Sequence, residues 1–238
     1  MRLNRSVAGV LCAGLVALPS VAAAQSYQCS LPGRLALQPP PTIDGPVRRV
    51  PVGGYTLAAS WSPEYCHGAR AESGSFQCSG RSGQFGFVLH GLWPEAAYGA
   101  PPQWCSLTPR PRPDDLKANL CMTPSPSLLE HEWAKHGSCM AKTPLEYFAT
   151  ARRLWQRLSW PDVDKLSLRK NITVGELRRA FLAANPGWSA GGISVQLSQG
   201  GWLREVQLCY GRDQRPAACR RDRRGARDAQ ALKVWRGL

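Results

Sequence analysis

Nine residues, His131-Glu132-Trp133-Ala134-Lys135-His136-Gly137-Ser138-Cys139, hold two of the chain's four histidines together with a carboxylate, an ammonium and a thiol. Imidazoles titrate near ~6.5, so a pair of them can give and take protons at ordinary pH without a metal. No β-branched residue interrupts the stretch, and the Ser/Pro-rich run from Thr123 to Ser127 precedes it, so it reads as a helix. With His131 at 0°, Lys135 falls near ~40°, Glu132 near ~100° and His136 near ~140°. The four polar groups share one arc, while Trp133 points away and can anchor the helix in a core. Such a face is costly to desolvate and suits a cleft or a polyanion. A zinc-protease helix needs two histidines at i and i+4. The i, i+5 spacing here and the intervening Lys135 oppose a metal ion, so no metal or other cofactor is expected. A solvated helix face with Glu132 pairing to His136 is the plainer alternative.

A second stretch outweighs that alternative. Gly86-Phe87-Val88-Leu89-His90-Gly91-Leu92-Trp93-Pro94-Glu95 reads as a buried strand that ends by presenting His90, followed by an indole and a carboxylate. Taken together, the two stretches resemble the signatures of the ribonuclease T(2) family. His-Gly-Leu-Trp-Pro is matched in full by His90 to Pro94. His-Glu-Trp-x-Lys-His-Gly followed by Thr and Cys is matched by His131 to Cys139, with Ser138 in place of the usual Thr. The resemblance implies a metal-independent endoribonuclease that cuts single-stranded RNA through 2′,3′-cyclic phosphates. It implies His136 as base, His90 as acid, Glu132 and Lys135 as stabilisers of the transition state, and His131 on a phosphate oxygen. Trp93 and Glu95 match positions that line the first base site, although packing beside Pro94 is an equal reading of Trp93. Leu128 and Leu129 stand where the family often has aromatics of a second base site, which argues for low base specificity. DNA lacks the 2′-OH nucleophile and is not expected to be cut. The resemblance also suggests the disulfides Cys66–Cys78, Cys105–Cys139 and Cys209–Cys219, leaving Cys29 to Cys121. Two other classes fit less well: an RNA-binding module or toxin on the same scaffold, and a zinc hydrolase.

Arg2 and Arg5, an uncharged run from Val7 to Leu18, and Ala22-Ala23-Ala24 before Gln25 form a secretory signal peptide over residues 1–24. The apolar run is too short to span a bilayer, so no membrane anchor is expected. The remaining 214 residues suit one domain, 25–238, acting as a monomer in the periplasm or outside the cell. Eight cysteines follow the leader, an even number that fits an oxidising compartment. The formal charge of +14, or +12 without the two leader arginines, favours a polyanionic partner.

Residues 25–54, rich in Pro and Gly, read as an irregular arm held by Cys29. Tyr55 to Trp61 reads as a strand ended by Ser62-Pro63, and Tyr65 to Ser82 as a polar loop in which His67 has no catalytic part. Gln84 to His90 reads as the central strand, Pro94 to Pro113 as a long loop, and Pro113 to Leu120 as a short helix. Thr143-x-x-Glu146 and Thr173-x-x-Glu176 are capping boxes. The first opens a helix to about Leu158 with Leu145, Phe148, Leu154, Trp155 and Leu158 inward. The second opens a helix to about Ala184. Ile193 to Leu197 and Trp202 to Tyr210 form a hairpin around Gly200-Gly201. The arginine-rich end, 220–238, reads as a basic tail. Strands, helices, then strands predict an α+β fold: an antiparallel sheet flanked by helices and stapled by disulfides.

Overall fold

The computed structural model describes residues 26–36, 38–68 and 74–236; the signal peptide expected over residues 1–24 lies outside them. In chain order the strands are β1 (Ser26–Tyr27), β2 (Val52–Trp61), β3 (Gln84–Phe85), β4 (Phe87–Ala96), β5 (Ile193–Leu197) and β6 (Leu203–Gly211). Four of them form an antiparallel sheet in the order β4-β2-β6-β5. Strand alternation gives the sheet two unlike faces. Leu57, Ala59 and Trp61 of β2 and Val206, Leu208 and Tyr210 of β6 join the hydrophobic core. Thr56 and Ser60 of β2 and Glu205 and Gln207 of β6 face the other way and bond among polar groups.

Two expectations for the histidine strand need correction. The stretch Gln84–His90 is not central: β3 splits off to pair with β1, and β4 lies at the sheet edge. Nor does β4 stop at His90, for it runs through Pro94 to Ala96; an edge strand tolerates a proline because one side needs no donors. The feature that presents His90 is a β-bulge. Leu89 pairs with Ala59 and Gly91 with Ala58, so His90 has no partner across the ladder. Phe87 and Leu89 point into the core before the bulge and Leu92 after it, so the inward parity switches at His90-Gly91. The open side of β4 is covered where Leu89 N donates to Met122 O and Thr123 Oγ1 donates to Leu89 O.

The helices are α1 (Ser62–His67), α2 (Pro113–Lys117), α3 (Pro126–Lys135), α4 (Pro144–Gln156), α5 (Val163–Ser167) and α6 (Val174–Ala184). Ser62-Pro63 starts α1 rather than a loop, with proline in the first turn where its missing N–H costs nothing. Helix α4 buries Tyr147, Phe148, Ala151, Leu154 and Trp155, while Leu145 is 60% exposed and lies off the stripe. Thr143 caps it, but Glu146 takes the N–H of Lys142 rather than that of Thr143, so of the two expected boxes it is that of Thr173 and Glu176 that is reciprocal. Residues 220–236 are not a loose tail. Leu232 is buried, Leu203 N donates to Lys233 O, Trp61 Nε1 donates to Trp235 O, and the Trp235 ring stacks between His67 and Trp202. Disulfides join Cys29–Cys121, Cys66–Cys78, Cys105–Cys139 and Cys209–Cys219.

Candidate active site

Helix α3 begins at Ser125, whose Oγ accepts from Leu128 N, with Pro126 in the first turn. Leu129 and Trp133 fix the helix in the core, and Trp133 Nε1 donates to Pro109 O. His136 caps the C-terminal end of α3, its N–H still bonded to Glu132 O, and the chain passes on into Gly137. A Cβ on Gly137 would approach Trp133 and Tyr147 to 2.7 Å, so this close packing requires glycine. The Cys105–Cys139 bridge and Ser138, whose Oγ donates to Ala134 O and accepts from Ser106 N, tie this end of α3 to the preceding loop. The hydroxyl that makes these bonds would be present in serine or threonine alike.

His90, Trp93, Glu95, His131, Glu132, Lys135 and His136 line one cleft of about 280 Å³, joined by Arg223. Within it the polar arc of α3 divides. Glu132 turns toward β4, where its Oε2 accepts from Trp93 Nε1 at 2.7 Å and its Oε1 lies 3.6 Å from His90 Nε2. His131 and Lys135 turn toward the N-terminal arm and meet Asp44. Lys135 Nζ is 2.8 Å from Asp44 Oδ2, and His131 Nε2 is 4.0 Å from the same oxygen. His131 also packs edge-on against Trp104, whereas His136 meets the Trp93 ring. Leu129 is in the core and Leu128 half-buried beside it.

The two imidazoles nearest Trp93 are held in opposite states. His90 Nδ1 donates to Glu205 Oε2 at 2.8 Å, which leaves Nε2 to face Glu132 and the cleft. Burial opposes a charge on His90, but the bond to Glu205 and the carboxylates of Glu132 and Glu205 outweigh it and raise its pKa above 6.5. Burial likewise opposes the charge on Glu205, yet the His90 bond together with donation from Gln207 and Ser60 holds its pKa below the usual carboxylate value. Burial pushes Glu132 up to about 7. His136 goes the other way, down to about 3, through burial and the neighbouring Lys135, His131 and His90 cations. Its Nδ1 is buried with no hydrogen-bond partner among the described residues, which suits a neutral ring. Trp93 contacts both rings, at centroid distances of 5.2 Å to His90 and 5.6 Å to His136.

Glu95 lies differently from a carboxylate offered to a base. Its Oε1 accepts from Thr56 Oγ1 and Arg223 Nη1, both at 2.9 Å, and its Oε2 is buried without a partner among the described residues.

Three site residues escaped the sequence reading: Asp44, Glu205 and Arg223. Glu205 carried a faint signal, a carboxylate in the alternating run Leu203 to Leu208, but nothing local shows that it reaches His90 past Ser60 of β2. Asp44 and Arg223 come from irregular segments with no periodicity. Asp44 is half-exposed and pairs with Lys135, so a substrate phosphate drawn to that ammonium would have to compete with it. An exposed ion pair is worth ~0.2–1 kcal/mol, so Asp44→Asn should lower KM for RNA by about two- to fivefold with kcat little changed. Steady-state kinetics at low ionic strength would show this, and an unchanged or higher KM would refute the competition.

Gly91 also has a physical reason. A Cβ there would lie 1.9 Å from Glu132 Oε2 and 2.7 Å from Trp93 Nε1. Gly91→Ala should therefore displace Glu132, costing about 1–3 kcal/mol as other overpacked sites do. Thermal melting would drop by several degrees and cleavage by more than tenfold; a parent-like variant would contradict the geometry.

Residues 52–175 match the Ribonuclease T2 family. The probable ribonuclease of Haemophilus influenzae is 37% identical over 131 residues, 50% of this chain and 47% of that protein, so the match spans about half of the relative. The ribonuclease of Aeromonas hydrophila is 33% identical over 164 residues, 67% of this chain and 72% of it. Among solved structures, trichomaglin, described as an S-like ribonuclease, superposes with a TM-score of 0.63 at 17% identity, covering 79% of this chain and 98% of its own. RNase NT, solved with 5′-AMP, gives 0.63 at 20% identity over 77% of this chain and 98% of its own. Those two likenesses are of fold. By the family match and the bacterial relatives, the chain belongs to the ribonuclease T2 family of endoribonucleases.

Proposed function

We propose that the mature chain, exported and freed of residues 1–24, cleaves single-stranded RNA by transesterification without a metal ion. The observation that carries this reading is the placing of His90 and His136 on one cleft about Trp93, with His90 Nδ1 held by Glu205 and Nε2 left to face the cleft. Neutral His136 takes the proton of the 2′-OH as its oxygen attacks the adjacent phosphorus. Protonated His90 gives its Nε2 proton to the departing 5′ oxygen. The phosphorus–5′-oxygen bond breaks and a 2′,3′-cyclic phosphate forms. Glu205 holds the proton on His90 and fixes its tautomer. Glu132, neutral in mild acid, donates to a non-bridging phosphate oxygen, and Lys135 supplies positive charge beside it. His131 binds a further phosphate oxygen. Slow attack of water on the cyclic product leaves a 3′-phosphate. Trp93 offers a ring for base stacking, and all four bases are accepted. DNA, without a 2′-OH, is left intact. The protein acts as a monomer in the periplasm or outside the cell.

The decisive test incubates oxidised mature protein with single-stranded RNA, and separately with DNA, in excess EDTA at mildly acidic pH. RNA cut to 2′,3′-cyclic ends with intact DNA is expected. Cleavage that requires added zinc would overturn the mechanism. Salt-sensitive RNA binding without cleavage would instead indicate a binding module.

A further inference from the structure

The segment after β6 is built to deliver one arginine. Cys219 is bridged to Cys209 of β6, and Cys219 N donates to Gly191 O. Arg220 Nη1 reaches Gly99 O in the loop that follows β4. On the far side Arg178 of α6, itself 7% exposed, donates to Arg224 O and Ala226 O and pairs with Asp228. Gly225, at φ +67°, lies so close to Val195 that a Cβ would meet its carbonyl oxygen at 2.3 Å. Between these clamps, the short turn Arg221–Arg223 projects Arg223 into the cleft beside Glu95.

Arg223 is two-thirds buried, and among the described residues its one side-chain hydrogen bond is Nη1 to Glu95 Oε1. A guanidinium has five donors. Four remain open, on the side chain that lines the cleft next to Trp93. Glu95, by contrast, has no acceptor facing solvent: Oε1 is taken twice and Oε2 is buried. The paired carboxylate offsets the charge of Arg223, which weakens its pull on phosphate but leaves its donor fork. We propose that Arg223 reads the base in this cleft, that Glu95 serves to position it, and that guanine is the base it favours. A donor-only fork needs two neighbouring acceptors. Guanine presents O6 and N7 side by side, the commonest specific partner of arginine. Adenine places an amino group beside N7 and uracil an N3–H between its carbonyls; cytosine offers O2 beside N3, so enrichment of cytosine in place of guanine would overturn the base assignment. Single-stranded RNA leaves that edge exposed. The inference rests on the ribonuclease reading and turns its acceptance of all four bases into a graded preference. Asp44, Glu205 and Arg223 all lie outside the matched stretch 52–175, so this reader belongs to the part of the chain beyond it.

Two measurements test it together. Cut sites are mapped in unstructured RNA of equal base composition with the parent, Arg223→Gln and Arg223→Lys. Equilibrium binding of the four 5′-mononucleotides is followed by tryptophan fluorescence, independently of cleavage. Guanosine should be enriched several-fold at parental cut sites and GMP should bind most tightly. Both preferences should fall to within twofold of the other bases in Arg223→Gln. Lysine, which keeps the charge beside Glu95 but has no fork, should not restore them. The assignment is overturned if the parent shows no guanine preference in binding, if the preference survives Arg223→Gln, if all four bases lose equally, or if KM falls on removing Arg223. Selective GMP binding with no RNA cleavage would sink the ribonuclease mechanism and leave Arg223 as the reader.

Discussion

Replacing His136 with alanine should lower kcat/KM on single-stranded RNA by about 10²–10⁴-fold, the range over which a placed acid or base acts. His136 is well suited to the experiment because its ring makes few bonds that the fold needs: Nδ1 has no partner among the described residues and the residue is only partly buried. Melting should stay within a few degrees of the parent. His90 requires more care. Its removal would strip a cation from between Glu132 and Glu205, both nearly buried, although Ser60 and Gln207 still donate to Glu205. His90→Gln keeps a donor near Glu205 and should show a comparable loss with less disturbance. Single-turnover cleavage with fluorescence-detected melting reads both quantities. Parent-like rates in either variant would remove the two-imidazole mechanism.

What the sequence made legible was chemistry carried by contiguous residues. His90, Trp93, Glu132, Lys135 and His136 stand in two short runs, and helix periodicity with strand length is enough to bring their side chains toward a shared space. The hairpin around Gly200-Gly201 and the capped helices α4 and α6 follow from local turn and capping chemistry. The details that escaped depend on non-local packing. A bulge opposite Ala58 and Ala59 cannot be seen from β4 alone, yet it sets the direction of His90. Edge or centre is a property of the whole sheet. The division of the α3 arc depends on Asp44, which is 91 residues from Lys135, and on Trp93, which is 39 from Glu132. The arginine-rich end looked like a solvated tail because its apolar residues are few and irregularly spaced. Leu232, Trp235 and buried Arg178 nevertheless hold it in place.

Glu205→Gln should move the pH dependence more than any other single change outside the two histidines. The active form needs His136 neutral and His90 protonated, and Glu132, pushed up to about 7, adds its own loss of a donor to the alkaline side in parent and variant alike. With His136 near 3 and His90 above 6.5, the parent's kcat/KM rises on an acid limb far below neutrality and falls on an alkaline limb above 6.5. Burial is the largest influence on His90 and acts downward; the Glu205 bond is the first that opposes it. Glutamine retains an acceptor but not the charge, so burial prevails and the His90 pKa falls. A hydrogen bond to a charged group is worth ~1.5–3 kcal/mol, and one pH unit is ~1.36 kcal/mol. The alkaline limb should therefore shift down by about one to two pH units. At pH values above the parent's limb activity should drop by about ten- to a hundredfold, while the acidic plateau stays near the parent's. The same pair has a signed effect on stability. The raised pKa of His90 stabilises the fold below 6.5 and loses that effect as pH rises through it; the lowered pKa of Glu205 stabilises above its ordinary value and loses that effect as pH falls through it. The pair's contribution thus peaks in the mildly acidic window between them, and Glu205→Gln should flatten melting temperature across that window. A merely structural Glu205 would lower the rate equally at every pH, and an alkaline limb left in place would show that another group holds the proton on His90.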